Sequence, residues 1–225
     1  AISYENLSKE EEAALTWKDY ADVSSYSNPQ EGAHEYGKAG NRLMKKHRFL
    51  EARECFLKSI RLDPNSAQNL SQLGFVNKIL QRWEECIICS QKAFEIKGDV
   101  RDKELYEFCQ REYQKNPKVY DSNTVEDAID QAIIKELKGQ YEDALKCYSD
   151  ILSILQRQSY QDEAKISIRR FIADAFWALG HKDEASRLYE EIKDVVTGYE
   201  KMIVETIMWF MKKHSLGFKE RRKNG

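Results

Sequence analysis

The chain has 225 residues, with 38 acidic and 36 basic side chains for a net charge of −2, and only 3 Pro and 10 Gly. So few turn-formers argue against an all-β sandwich, and no apolar run approaches the roughly 20 residues that span a bilayer. With 41% hydrophobic and 11% aromatic residues, the chain is too apolar to be disordered, which leaves a soluble, mostly helical protein with a real core.

Residues 1–31 carry seven acids and two bases. Ser8-Lys9-Glu10-Glu11 is a capping box that predicts a short helix to about Tyr20. Ser24 to Pro29 reads as a polar turn, so residues 1–30 form an acidic N-terminal arm. Beyond it the chain repeats. Ala33–Pro64 and Ala67–Gly98 align without a gap, 34 residues apart. Counted from its start, each unit has a small residue at offset 7 (Gly40, Gly74), an aromatic at 16 (Phe49, Trp83) and a small residue at 19 (Ala52, Cys86). Phe56 and Ser90 follow at 23, Ser59 and Ala93 at 26, and Pro64 and Gly98 at 31. Antiparallel helices approach closely only where side chains are small, which places Gly40 against Ala52 and Gly74 against Cys86. The aromatics wedge the turn, and Pro64 ends one helix and starts the next.

Residues 99–124 hold an extra helix at about 101–115, closed by Asn116-Pro117, and a loop. Two further units begin at Val125 and Ile166. They place Ala132 and Ala173 at offset 7, Tyr141 and Lys182 at 16, Ala144 and Ala185 at 19, Tyr148 and Tyr189 at 23, and Ile151 and Ile192 at 26. Their starts are 41 residues apart, so the helix from Tyr141 is predicted to run to about Gln158. Tyr199 to His214, within 197–215, is a capping helix whose Ile203, Ile207 and Phe210 either pack inside the chain or dock onto another protein. Residues 216–225 complete a basic tail. Residues 212–225 carry six bases and one acid.

Five cysteines, an odd number in a chain large enough to build its core without disulfides, favour buried, reduced thiols and an intracellular, cytoplasmic setting; a targeting segment removed from the N-terminus is compatible with it. Cys86-Ile-Ile-Cys89 lacks the second pair that a structural zinc site needs. No nucleophile elbow, phosphate loop or zinc-protease motif occurs. No catalytic residue, metal or cofactor is therefore assigned, and the chain does not read as an enzyme.

The pattern of small and aromatic residues, repeated over four units, resembles the tetratricopeptide repeat (TPR) family. The resemblance implies an all-α, TPR-like α-solenoid of antiparallel helix pairs, with an extra helix in the middle and a C-terminal capping helix. It also implies a concave groove lined by the first helix of each pair. That assigns Asn41, Met44 and Lys45 from the first unit, Phe75, Lys78 and Ile79 from the second, and Arg170, Asp174 and Trp177 from the fourth. Ile129, Ile133 and Leu137 of the third unit are read equally as inter-repeat core. The TPR class that grips a chaperone's C-terminal carboxylate needs five polar residues in register; only Asn41 matches, so a co-chaperone with a degraded clamp is an alternative. The expected function is a protein–protein interaction module, an adaptor or a subunit of a larger assembly, holding a partner segment in the groove. The groove can equally be filled by the chain's own extra helix or N-terminal arm. An RNA-associated repeat protein using the basic tail is a further alternative.

Overall fold

The computed structural model describes residues 18–120, 124–156 and 163–223. Eleven helical segments account for most of them, and among the described residues there is no strand. They are α1 (18–27), α2 (Pro29–Lys45), α3 (Phe49–Leu62), α4 (Ala67–Ile79), α5 (Trp83–Lys97), α6 (Val100–Lys115), α7 (Val125–Leu137), α8 (Tyr141–Gln156), α9 (Glu163–Ala178), α10 (Lys182–Lys193) and α11 (Gly198–Lys223). The chain forms two compact units. Unit 1 joins Ala1–Pro64 to Ala173–Gly225, and unit 2 is Asn65–Ile172.

The repeat register governs the hairpin turns. At offset 14, two residues before each second helix, stand His47, Gln81, Gly139 and Gly180, all with φ between 56° and 92°. In each turn the next N–H reaches back five residues to a carbonyl: Arg48 to Leu43, Arg82 to Asn77, Gln140 to Lys135 and His181 to Phe176, at 2.8–3.0 Å. The offset-14 N–H bonds three residues back in all four. This is the Schellman pattern, in which a left-handed residue folds the last N–H groups onto orphan helix carbonyls. Glycine takes that conformation without steric cost, whereas His47 and Gln81 carry it against their Cβ.

The packing follows the same register. Ala52, Cys86, Ala144 and Ala185 at offset 19 are fully buried, as are Phe56, Ser90, Tyr148 and Tyr189 at offset 23. Along these positions α2 packs on α3, α4 on α5, and α7 on α8. Gly40 makes room for a different residue than expected: a methyl group there would stand 2.8 Å from ring carbons of Phe56, not against Ala52. Gly74 is looser, with the nearest atoms at 3.4 Å from Leu105 and 3.5 Å from Ser90.

Other boundaries differ from the expectation. The segment read as a turn-rich stretch is helical to residue 27. Ser24, Ser25 and Ser27 donate to the carbonyls of Ala21, Asp22 and Ser24, three residues back, which satisfies their hydroxyls inside a helix. Asn28 then caps α2, with Pro29 at its first turn. The capping box at Ser8 lies outside the described residues, as does the expected end of α8 near Gln158. The capping helix does not stop at His214; α11 continues to Lys223, so the basic residues read as a tail belong largely to a helix. Cys86 and Cys109 are joined as a disulfide across α5 and α6, which corrects the reading of all five cysteines as free thiols. Cys55, Cys89 and Cys147 form no disulfide, and burial pushes the Cys55 thiol up to about 12. No described helix is long and apolar enough to cross a membrane.

Candidate protein-interaction surface

The positions that the resemblance assigns to the inner face of each first helix recur at offsets 8, 11 and 12. In the second unit these are Phe75, Lys78 and Ile79, one turn apart on α4. Phe75 is 45% exposed and Ile79 38% exposed, while Leu70, Leu73, Gly74, Val76 and Asn77 are buried on the rest of the helix. Lys78 lies with its Nζ 4.5 Å from the centre of the Phe108 ring on α6, a cation–π contact. Phe108 also meets Trp83 edge-on at 6.3 Å. The extra helix α6 therefore flanks this face; of its 16 residues only Asp102 and Cys109 are buried.

In the first unit the same offsets hold Asn41, Met44 and Lys45 on α2. Asn41 and Met44 are half-buried and Lys45 is exposed. In the third they hold Ile133, Glu136 and Leu137, all buried, so these are core. Glu136 accepts a hydrogen bond from the Tyr148 hydroxyl at 2.9 Å.

In the fourth unit Asp174 and Trp177 are covered, within unit 1, by the chain's own α1. The Tyr26 hydroxyl donates to Oδ1 of Asp174 at 2.6 Å, and its ring stands 5.0 Å from that of Trp177. The Tyr189 hydroxyl donates to the same carboxylate oxygen at 2.5 Å. Lys58 of α3, 4% exposed, places Nζ 2.7 Å from Asp174 Oδ2 and 2.9 Å from Asp22 Oδ1. Tyr36 closes the cluster by donating to Asp22 at 2.5 Å. Burial acts to lower the Lys58 pKa, but the two carboxylates outweigh it and hold the ammonium charged, well above its ordinary value. Burial first, and the adjoining carboxylates second, raise Tyr26 and Tyr36 well above the usual phenol range. The cluster is thus one buried ammonium between Asp22 and Asp174, with Glu54 a third carboxylate at 3.4 Å, ringed by protonated hydroxyls. Arg170, one turn before Asp174, is half-buried and lies in unit 2.

Sequence reasoning missed Asp22, Tyr26, Lys58 and Tyr189 as partners of Asp174. The available signal was Asp22 and Tyr26 at i, i+4 spacing on one helix face, which reading 24–29 as a turn concealed.

The capping helix buries Ile203, Val204, Ile207 and Met211 against its surroundings in unit 1, where α10 packs on α11. Ile203 and Ile207 are therefore internal and not an outward docking face, because the i, i+4 stripe they form is the one that α11 turns inward. Phe210 is half-buried and meets Trp209 edge-on at 4.8 Å. Met202 and Trp209 are exposed, the latter by 57%. Beside Trp209 runs a cleft of about 460 Å³, lined by Ser186, Glu190, Glu205, Met208 and Lys212 among others.

In unit 2 a polar cluster ties residues 117–120 to the α4–α5 turn and α7. Asp130 accepts from Arg82 and from Lys118, the latter at 2.8 Å, and Lys118 also pairs with Asp127 at 2.7 Å. Every one of these charges has an opposite neighbour, which marks a structural clip. Among the described residues no group of three His, Cys, Asp or Glu could hold a metal.

Residues 127–196 match the tetratricopeptide repeat family. That stretch is similar to a TPR segment, and the described residues form an all-α fold of TPR-like helix pairs. Among solved structures it is similar to YrrB, described as a TPR protein with an unusual peptide-binding site. The identity is 15% and the TM-score 0.31, over 80% of this chain and 93% of that one. It is also similar to a tetratricopeptide repeat protein from Parabacteroides merdae, with 11% identity and a TM-score of 0.35, over 94% of this chain and all of that one. No curated protein sequence matches the chain.

Proposed function

We propose that the chain holds a segment of a partner protein against the open face of α4. The observation that supports this is the exposure of Phe75 and Ile79, one turn apart, on a helix that buries Leu70, Leu73, Gly74, Val76 and Asn77. Large apolar side chains side by side on a first-helix inner face lose water when a partner covers them, at about 2 kcal/mol for each fully buried side chain. Lys78 at the next position adds a cation that favours an acidic group beside the partner's apolar residues. The role proposed for this face is binding and not catalysis.

The test is affinity capture from a cell extract with the intact chain and with a Phe75→Asp/Ile79→Asp double variant. The reading predicts proteins retained by the first and reduced at least tenfold by the second, with identical helical circular dichroism. Equal retention by a folded double variant removes α4 as the binding face. Lys78→Glu should give a smaller loss, on the order of threefold to tenfold, that shrinks at high salt.

A further inference from the structure

We infer that residues 18–27 are a built-in ligand of unit 1, and that the site they fill recognises a helix bearing an acid and a tyrosine four residues apart. The inference does not depend on the α4 proposal, since it concerns other residues and another unit.

Three observations carry it. The first is register. Asp174 and Trp177 stand at offsets 8 and 11 of the fourth unit, where α4 has Phe75, exposed, and Lys78, half-buried against the Phe108 ring. At Asp174 and Trp177 the covering residue comes from the chain's own α1, 148 residues away in sequence. The second is the chemistry of the contact. Asp22 and Tyr26 project from one face of α1. Asp22 meets Lys58 and Tyr36, while Tyr26 meets Asp174, Tyr189 and Trp177. Donors meet acceptors throughout: ammonium among carboxylates, phenol onto carboxylate, ring onto indole. This is how a peptide is read, and not merely how a core is filled.

The third is what the contact lacks. The buried residues of α1 are Ala21, Asp22, Ser24, Ser25 and Tyr26, so only two are apolar. Beyond the close approach of Ser25 to Gly32, the contact is held by the charge and hydroxyl pairing of Asp22 and Tyr26, whose desolvation cost offsets most of its Coulomb gain. Such pairing contributes selectivity and little net stability. By contrast, α11 in the same unit is held by Ile203, Val204, Ile207 and Met211. A segment attached mainly through polar groups can be exchanged for a competitor that offers the same groups. The site is closed in the isolated chain because the tethered segment competes at an effective concentration in the millimolar range.

The experiment uses the full chain and a fluorescein-labelled peptide with the sequence of residues 18–30. The wild type should bind it weakly. The Asp22→Asn/Tyr26→Phe variant, whose own segment is loosened, should bind at least tenfold more tightly. A control peptide with alanine at the positions of Asp22 and Tyr26 should lose that binding. A folded variant that binds the peptide no better than the wild type overturns the inference, as does one that binds both peptides alike. Should the variant fail to fold, amide hydrogen exchange of the wild type decides. The inference requires amides 21–26 to open as a group at least tenfold faster than those of 173–178 and 182–193. Exchange in step with those helices would make α1 a permanent core element and overturn it.

Discussion

On α4 in unit 2 the offset-8 residue, Phe75, faces solvent, whereas on α9 in unit 1 its counterpart, Asp174, receives two tyrosine hydroxyls and an ammonium. The hairpin turns around them are alike, with the same left-handed residue and the same backbone bonds. What differs is the covering element. Unit 2 is one continuous stretch of chain, Asn65–Ile172, while unit 1 is assembled from both ends, and the N-terminal end supplies the cover. A repeat thus fixes backbone and small-residue packing, and leaves inner-face chemistry free to vary.

The comparison breaks most sharply at Lys58. Removing it as Lys58→Ala leaves Asp22 and Asp174 facing each other while buried, at a cost of about 3–5 kcal/mol; in urea, unit 1 should melt first. The analogous loss of a cation in the polar clip of unit 2, Lys118→Ala, should cost about 1 kcal/mol or less, because Lys118 is well exposed. Equal costs would show that the buried cluster is no more demanding than a surface one.

A second contrast lies at the two repeat glycines. Gly40→Ala drives a methyl group to 2.8 Å from the Phe56 ring and should destabilise by about 1–3 kcal/mol. Gly74→Ala meets its nearest neighbour at 3.4 Å and should be near neutral, the helix-propensity gain of about 1 kcal/mol offsetting the tighter contact. Thermal unfolding of both variants separates these outcomes, and a reversed order would contradict the packing described. The smallest effect is expected at the turns, where the units agree. His47→Gly and Gln81→Gly relieve a left-handed non-glycine residue and should each stabilise by about 0.5–1 kcal/mol; loss of stability at both would mean that their side chains contribute more than the strain they carry.

Much of the fold was legible because TPR packing leaves a trace in single residues. Ala52, Ala144 and Ala185 can only be small if another helix presses on them, and all three are fully buried. The left-handed turn was half visible, announced by Gly139 and Gly180 but hidden at His47 and Gln81, where the backbone bonds of the turn accompany a conformation that a Cβ disfavours. The register put Phe75 and Asp174 at equivalent positions, but it did not give their exposure. Whether Asp174 is open or covered depends on Tyr26, which no local pattern connects to it. The serines before Asn28 masked α1, since their turn preference gave way to hydroxyl bonds within the helix. The Cys86–Cys109 bridge was illegible for a similar reason: pairing depends on how α6 lies on α5, and sequence spacing does not specify that.

The most direct test is hydroxyl-radical footprinting of the intact chain, read residue by residue. With the exposed Trp209 as internal standard, Phe75 should be oxidised readily, while Tyr26 and Trp177 stay protected until the protein unfolds. Labelling of Trp177 and Tyr26 at rates comparable to Trp209 in the folded protein would contradict the account, since it would leave the fourth unit's inner face as open as that of the second.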